Sequence, residues 1–316
     1  MRGALVSKFS RLTVIAIAAA MSLGCPDSSK KKQQVAGKPA LELRKAVSFV
    51  LASPGLPSTK NDLVTAIVTG LKNSVKLDDK IQTIQADGTT YPSLQKLQVD
   101  LTNTQLDTGK KPVKLKSKEP IAQGITADQF VFRAAPMKID GGAINLNIQA
   151  REVNLGLLHD RAERPVLALS SARDGSVDCQ TTTDDLSKIF RASANERGKA
   201  VGLSVRKTQL TLKSQNDRDL SADIRFASVL LLVPIQLHFT AHVTVDEDGN
   251  ATLSNLTCDG DDAAGSLITT FIRPVLKDYD NKTMPLVAFP TPDVHLRNVA
   301  IHLNDQTVHL TANFGK

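Results

Sequence analysis

His238 and His242 stand four residues apart, and imidazoles spaced that closely are where a metal site or a proton relay would be sought. Around them the sequence alternates. Ile235, Leu237, Phe239, Ala241, Val243 and Val245 are apolar; Gln236, His238, Thr240, His242 and Thr244 are polar. Period two predicts a strand with one buried and one wet face, and it puts both imidazoles on the wet face. Two imidazoles do not hold a metal without a third ligand, so exposed strand positions account for them. His295, His302 and His309 recur every seven residues, an odd spacing that sends neighbours to opposite faces of a strand. Asp246, Asp248 and Asn250 have the opening spacing of a calcium loop, but Thr257 stands where the closing Glu is needed. A hairpin turn at Asp248-Gly249 explains them better. Asp259, Asp261 and Asp262 suit a cation, or the first turn of a following helix, and the helix is the better reading. The sequence carries no nucleophile elbow, zincin motif, P-loop or dinucleotide fingerprint. The expectation is a chain with no catalytic residues, no metal and no cofactor.

The histidines belong to a longer stretch, Ala222 to Thr257, around which the chain is organised. From Phe226 to Val245 there is no Asp, Glu, Lys or Arg, a length that fits a membrane helix. The alternation rejects that reading. Apolar positions are even at Ile224 and Phe226 and odd from Ile235 onward. A phase change across Val229–Pro234 predicts one long strand, bent by a bulge or kink at Pro234.

Other elements follow from periodicity. Helices are predicted over Pro39–Ala52, from Thr59, over Thr181–Lys199, and over Ala263–Tyr279 with a kink at Pro274. Strands are predicted at Leu97–Leu101, at Val113–Leu115, and in two short runs, Phe130–Phe132 and Met137–Ile139. After a turn at Gly141-Gly142 come Ile144–Ile148 and Val153–Leu157, which switch phase near Arg151-Glu152. Val166–Leu169 precedes a turn at Asp174-Gly175. Val201–Val205 and Leu210–Leu212 are again in opposite phase, and the chain ends in a hairpin turning near Asn304-Asp305. The layout is α+β, with antiparallel strands and interspersed helices.

The N-terminus reads as an export signal. Arg2, Lys8 and Arg11 precede a short apolar run that ends at Gly24-Cys25. Residues 1–24 are the expected signal peptide, with Cys25 as a lipid-bearing first residue; an ordinary secretory cleavage nearby is the alternative. Residues 25–38 then form a lipidated Cys and flexible tether, polar and without periodicity. Residues 39–90 are the expected N-terminal helical segment, and 91–316 the main domain. Pro26 gives no inner-membrane retention signal, so the periplasmic face of the outer membrane is the default address.

Net charge is +7, but seven basic residues and one acidic residue fall within 1–38, leaving 39–316 at +1. The domain therefore lacks a nucleic-acid footprint, and with ten Phe, two Tyr and no Trp it lacks stacking platforms. Cys179 and Cys258 remain once Cys25 is lipidated. In an oxidising compartment they either pair as a disulfide or stay as two buried thiols.

From about residue 180 the order of motifs becomes informative: TTTDDLSKIF, VGLSVRKTQLTL, LLLVPIQLHFTAHVTVDEDGNATL, GSLITTFIRPVLKDY and MPLVAFPTPDVHLRNVAIHLNDQTVHLTANFG. This order resembles the LmeA-like bacterial lipoprotein family, related to the tubular lipid-binding (TULIP) superfamily. The resemblance covers about the last 140 residues. It implies a strongly curved antiparallel sheet wrapped around one or two long helices, enclosing an apolar tunnel, with no shared catalytic residues. The long strand and the wide apolar face of the Ala263–Tyr279 helix then supply the lining: Ile224, Phe226, Leu237, Phe239, Leu267, Phe271 and Leu276. The functional expectation is a lipid-anchored periplasmic protein that binds or transfers a lipid or lipid-linked envelope intermediate. The alternative is a scaffolding lipoprotein with a dry core and protein partners in the envelope. A cleft gathering His238, His242 and the 259–262 carboxylates would instead favour an enzyme acting on envelope glycolipids.

Overall fold

The computed structural model describes residues 48–72, 75–76, 83–106, 120–199, 202–287, 289, 291 and 294–316. The expected signal peptide, Cys25, the tether and the Val113–Leu115 strand lie outside these residues. In chain order, β1 (Ser48–Val50) precedes helix α1 (Lys60–Lys72). Then come β2 (Val75–Lys76), β3 (Ile84–Asp87), β4 (Ser93–Asp100), β5 (Thr104–Leu106), β6 (Ala122–Ile139), β7 (Gly142–His159), β8 (Pro165–Ser171) and β9 (Asp174–Thr182). Helix α2 (Thr183–Gly198) leads to β10 (Leu203–Asn216), β11 (Asp219–Leu230), β12 (Val233–Val245) and β13 (Asn250–Gly260). Helix α3 (Ala263–Lys277), β14 (Lys282–Pro285), β15 (His295–Asn304) and β16 (Thr307–Gly315) complete the chain.

The strands form two sheets. The larger has eleven strands in the path β15-β16-β9-β7-β6-β4-β3, with β8 and β1 branching from β7, and β5 and β2 from β6. β6 and β7 are 18 residues each and form its spine. Each switches partner midway. β7 pairs with β9 up to Arg151 and with β8 from Asn154. Between them Glu152 sits at φ 49°, so the phase switch seen in the sequence is a backbone irregularity that splits the sheet. β6 pairs in parallel with β4 up to Arg133 and with β5 from Met137. The register slips between Ala134 and Met137, at Pro136, where a proline in a strand is tolerated.

The smaller sheet is an antiparallel meander, β10-β11-β12-β13-β14. Its apolar face is covered at one end by α2 and α3, which pack with Ile224, Phe226, Leu237 and Phe239 into one core. At the other end Leu220, Val243 and Leu253 join the core of the larger sheet. α2 is well specified locally: the Thr182 hydroxyl accepts from Asp185 N at 3.0 Å, and Asp184 and Asp185 stand in the first turn.

The expected architecture is corrected here. The fold is mostly β, and no sheet wraps around long helices: the three helices of the described residues are 13, 16 and 15 residues long and lie against sheet faces. None is long and apolar enough to cross a membrane. The long bent strand is in fact the β11–β12 hairpin, paired from Asp219↔Thr244 to Leu230↔Val233. A two-residue turn sets even positions of one strand opposite odd positions of the other, and cross-strand partners share a face. A tight hairpin therefore produces the same parity switch as a bulge.

Smaller corrections have similar causes. Ser48–Val50, expected to be helical, is a strand paired with β8. The 39–90 segment, read as helical, holds α1 together with β1, β2 and β3. Phe130 and Met137 belong to one strand, β6, and Asp174-Gly175 begins β9 rather than turning. The β6–β7 turn is at Asp140-Gly141, both at positive φ.

Candidate functional site

The seven expected lining residues do not come together. Ile224, Phe226, Leu237, Phe239 and Leu276 meet, each between 1% and 8% exposed, and the Phe226 and Phe239 rings stack edge to face at 5.6 Å. Leu186 and Phe190 of α2 close over them. These side chains pack in the core of the smaller sheet. Leu267 and Phe271 are 65% and 49% exposed. On α3 the positions 268, 272 and 276 face the sheet, while 267 and 271 share a neighbouring stripe. The helix is apolar over a wider arc than the sheet covers.

The exposed stripe has a neighbour that sequence reasoning placed wrongly. Leu231 and Leu232 form the β11–β12 turn, with φ at 49° and 76°. Two central residues at positive φ define a type I′ turn, which ordinarily takes Asn-Gly. Both leucines face solvent, at 73% and 93% exposed, and Val233 beside them is also exposed. α3 begins at this same end of the sheet. Gln236 N donates to Asp262 Oδ2 at 2.8 Å, and Asp261 N donates to the Gln236 carbonyl at 3.2 Å. Asp262 Oδ1 accepts from Gly265 N at 2.6 Å, capping the helix. Gly265 is required at this junction: a Cβ there would lie 2.5 Å from the Gln236 carbonyl oxygen. From that anchor α3 runs back along β13, with Leu267 near its start and Phe271 one turn on. Leu231, Leu232, Val233, Leu267 and Phe271 are the large apolar residues exposed among those described. No Gly or Asn marks the turn, so the sequence gives no hairpin signal there.

The opposite face of the smaller sheet is polar and carries the candidate chemical groups. His238 Nε2 meets Asp223 Oδ2 at 2.8 Å. His242 Nδ1 lies 3.2 Å from Ser221 Oγ, and its Nε2 lies 3.3 Å from Asp219 Oδ1. Carboxylate, imidazole and hydroxyl in that order have the connectivity of a nucleophilic triad. The setting does not supply the remaining part. β11 is paired on both sides, by β10 and β12, so the main-chain N–H groups around Ser221 are committed to the ladder and unavailable to an oxyanion. Ser221 and His242 are direct cross-strand partners. Similar pairs repeat along the face, with Thr240–Thr257 and Thr252–Thr283 hydroxyls each 2.7 Å apart. The groups form a polar ladder.

The other sites resolve as follows. Asp259 binds Arg273 at 2.6 Å, and Asp246 accepts from Asn250 N at 2.7 Å, closing the β12–β13 turn. Burial works to raise the Asp246 carboxyl, but the hydrogen bonds from Asn250 outweigh it and hold the group below its ordinary value. His302 and His309 pair across the final hairpin, with Asp217 at 3.0 Å and Asp178 at 3.1 Å respectively. They share a face despite their odd spacing because they belong to different strands. Among the described residues no group of three potential ligands could hold a metal ion. Cys179 lies in β9 in the core of the larger sheet, and Cys258 in β13 in the core of the smaller one. No disulfide joins them, and burial pushes both thiols up to about 12.

A groove of about 1040 Å³ opens beside β10. Its walls come from the first turns of α2, from β10 between Lys207 and Gln215, and from the polar face of β11 and β12. Comparison with known protein families, with curated proteins and with solved structures returns no match to this chain.

Proposed function

We propose that this chain is a non-enzymatic protein of the bacterial cell envelope, tethered by a lipid on Cys25, that engages lipid with the exposed apolar end of its smaller sheet. The carrying observation is the Leu231-Leu232 turn. A leucine in the left-handed region costs about 1–2 kcal/mol, and two of them exposed at a hairpin tip add little packing beyond the Leu231 contact with Gly202. Large exposed apolar groups gathered at one end mark a surface for lipid or for another protein. Val233 adjoins the turn, Leu267 and Phe271 are the other large apolar residues exposed among those described, and a tether at the N-terminus would keep them close to a bilayer. The ligand is then a lipid or lipid-linked intermediate met at the surface, not held in an internal tunnel.

One observation favours a second reading. The core formed by Phe226, Phe239 and their neighbours is closed, as expected of a scaffolding lipoprotein with a dry interior whose apolar end docks a protein.

The chain has no Trp, so a single reporter separates the two readings. The acylated Leu232→Trp variant is reconstituted into phosphatidylethanolamine–phosphatidylglycerol vesicles, some carrying brominated acyl chains. A blue-shifted emission quenched by the bromines supports lipid contact. Emission typical of water, unquenched, sinks it and leaves the scaffold reading. A Lys213→Trp variant controls for proximity due to the tether alone.

A further inference from the structure

Among the described residues, strand β10 is the edge of the smaller sheet and pairs only with β11. Its outer edge is closed at the start. Asn195 of α2 holds both main-chain groups of Val205, and Arg191 reaches the Arg206 carbonyl. From Lys207 to Gln215 that edge has no main-chain partner among the described residues. Nine extended residues span about 30 Å, and a free edge of that length is a template for another strand. The groove takes in this stretch and spreads across the polar face of β11 and β12 as far as Asn255 of β13, with Thr183, Asp184 and Ser187 of α2 and Gln306 of the β15–β16 turn on its other side.

We infer that this slot takes an extended peptide, added as a strand beside β10, that alternates acidic and apolar residues. The alternation is set by the two faces of β10. Lys207 and Lys213 lie on the polar face, opposite Ala227 and Ser221, and neither has an acidic partner among the described residues. Six residues apart on one strand, they face the same way. Leu210 and Leu212 point to the other face, opposite Ile224 and Ala222, and are only half covered. An incoming strand with acids toward the lysines and apolar side chains toward the leucines satisfies both faces, while its main chain satisfies the edge. A second copy of β10 is the poorer partner, since it would bring further lysines and no acids to the polar face of the slot. This inference is independent of the apolar hairpin end and survives if that reading fails.

The probe is a fluorescein-labelled decapeptide, (Glu-Val)5, titrated by anisotropy against the mature acylated chain in detergent micelles. Its comparators are (Lys-Val)5 and a (Glu-Val)5 with alternate amides N-methylated. The expected result is saturable binding of (Glu-Val)5 at least tenfold tighter than either comparator. The double variant Lys207→Glu, Lys213→Glu, exposed and remote from the core, should reverse the preference between the two charged peptides. Absence of (Glu-Val)5 binding overturns the inference, as does equal binding of both charged peptides or indifference to N-methylation. A dimer of the unliganded chain by sedimentation that (Glu-Val)5 does not dissociate also overturns it, by putting a second copy on the edge.

Discussion

The carboxamide of Asn195 holds both main-chain groups of Val205, accepting from its N–H at 2.6 Å and donating to its carbonyl at 3.0 Å. Val205 is buried, and its register slips before Lys207, so these groups face the edge and not the ladder. Replacing Asn195 by Leu removes both partners and leaves two main-chain groups unsatisfied, at about 1–3 kcal/mol each. We expect the midpoint of chemical denaturation to fall accordingly. Asn195→Asp keeps the acceptor and loses the donor, so it should cost less. Equal stability of all three proteins would show that water serves Val205 as well as Asn195 does.

Gly70 of α1 meets β1 so closely that a Cβ would lie 1.8 Å from the Val50 carbonyl oxygen. Alanine ordinarily favours a helix by roughly 1 kcal/mol over glycine. Here the helix would have to move off the strand, and overpacking of this kind costs typically 1–3 kcal/mol. Gly70→Ala should therefore lower the melting temperature although it raises helix propensity. Gly55→Ala meets nothing within 4 Å and should be close to neutral.

The two positions differ in what a sequence reader could see. Leu63, Ala66, Ile67 and Gly70 repeat on one helical face, and that face is the buried one, so periodicity located α1 and its packing side. The same reasoning placed α2 and the apolar face of β12. It failed where one pattern has two physical causes. A parity switch is produced by a bulge and by a two-residue hairpin alike. At Glu152 the cause was a kink in a continuous strand, and at Leu231-Leu232 it was a turn without turn residues. The error mattered for the candidate site, because a kinked strand buries its leucines and a hairpin tip exposes them. The width of the α3 apolar face was legible too, but not how much of it the sheet would cover. The edge of β10 was not legible, since strand order is set by pairings remote in sequence.

Burial of Cys179 and Cys258 gives stability a pH dependence on the alkaline side. Both thiols titrate near 9.0 when exposed and are pushed to about 12 in the fold, first by burial and then by Asp178 and Asp259 respectively. The folded state keeps these protons when the unfolded state loses them. Stability from this source is complete below pH 9 and declines as pH rises toward 12, by about 1.4 kcal/mol per pH unit per thiol. The doubly substituted Cys179→Ala, Cys258→Ala chain should show a shallower loss of denaturation midpoint between pH 9 and 11. The same protection predicts that neither thiol reacts with a disulfide reagent at pH 8 until the chain is unfolded. Rapid labelling of either in the folded protein would contradict the burial.

The β11–β12 turn sets stability against surface contact, and a single exchange tests both. Leu231→Asn with Leu232→Gly installs the dipeptide that a type I′ turn prefers and relieves two left-handed leucines, each strained by about 1–2 kcal/mol. It also removes the most exposed apolar side chains of the described residues, so the folded state loses little packing beyond the Leu231 contact with Gly202. We expect this variant to be more stable than the natural chain, by roughly 1 kcal/mol or more, with a raised melting temperature. At the same time its hairpin end should lose its hold on bilayers. A Phe271→Trp reporter placed in the variant should then be less quenched by brominated lipid than in the natural turn. If the variant is stabilised and the quenching is unchanged, lipid contact does not depend on the turn. If it is destabilised, the leucines are held by packing within the fold and not by what they meet outside it.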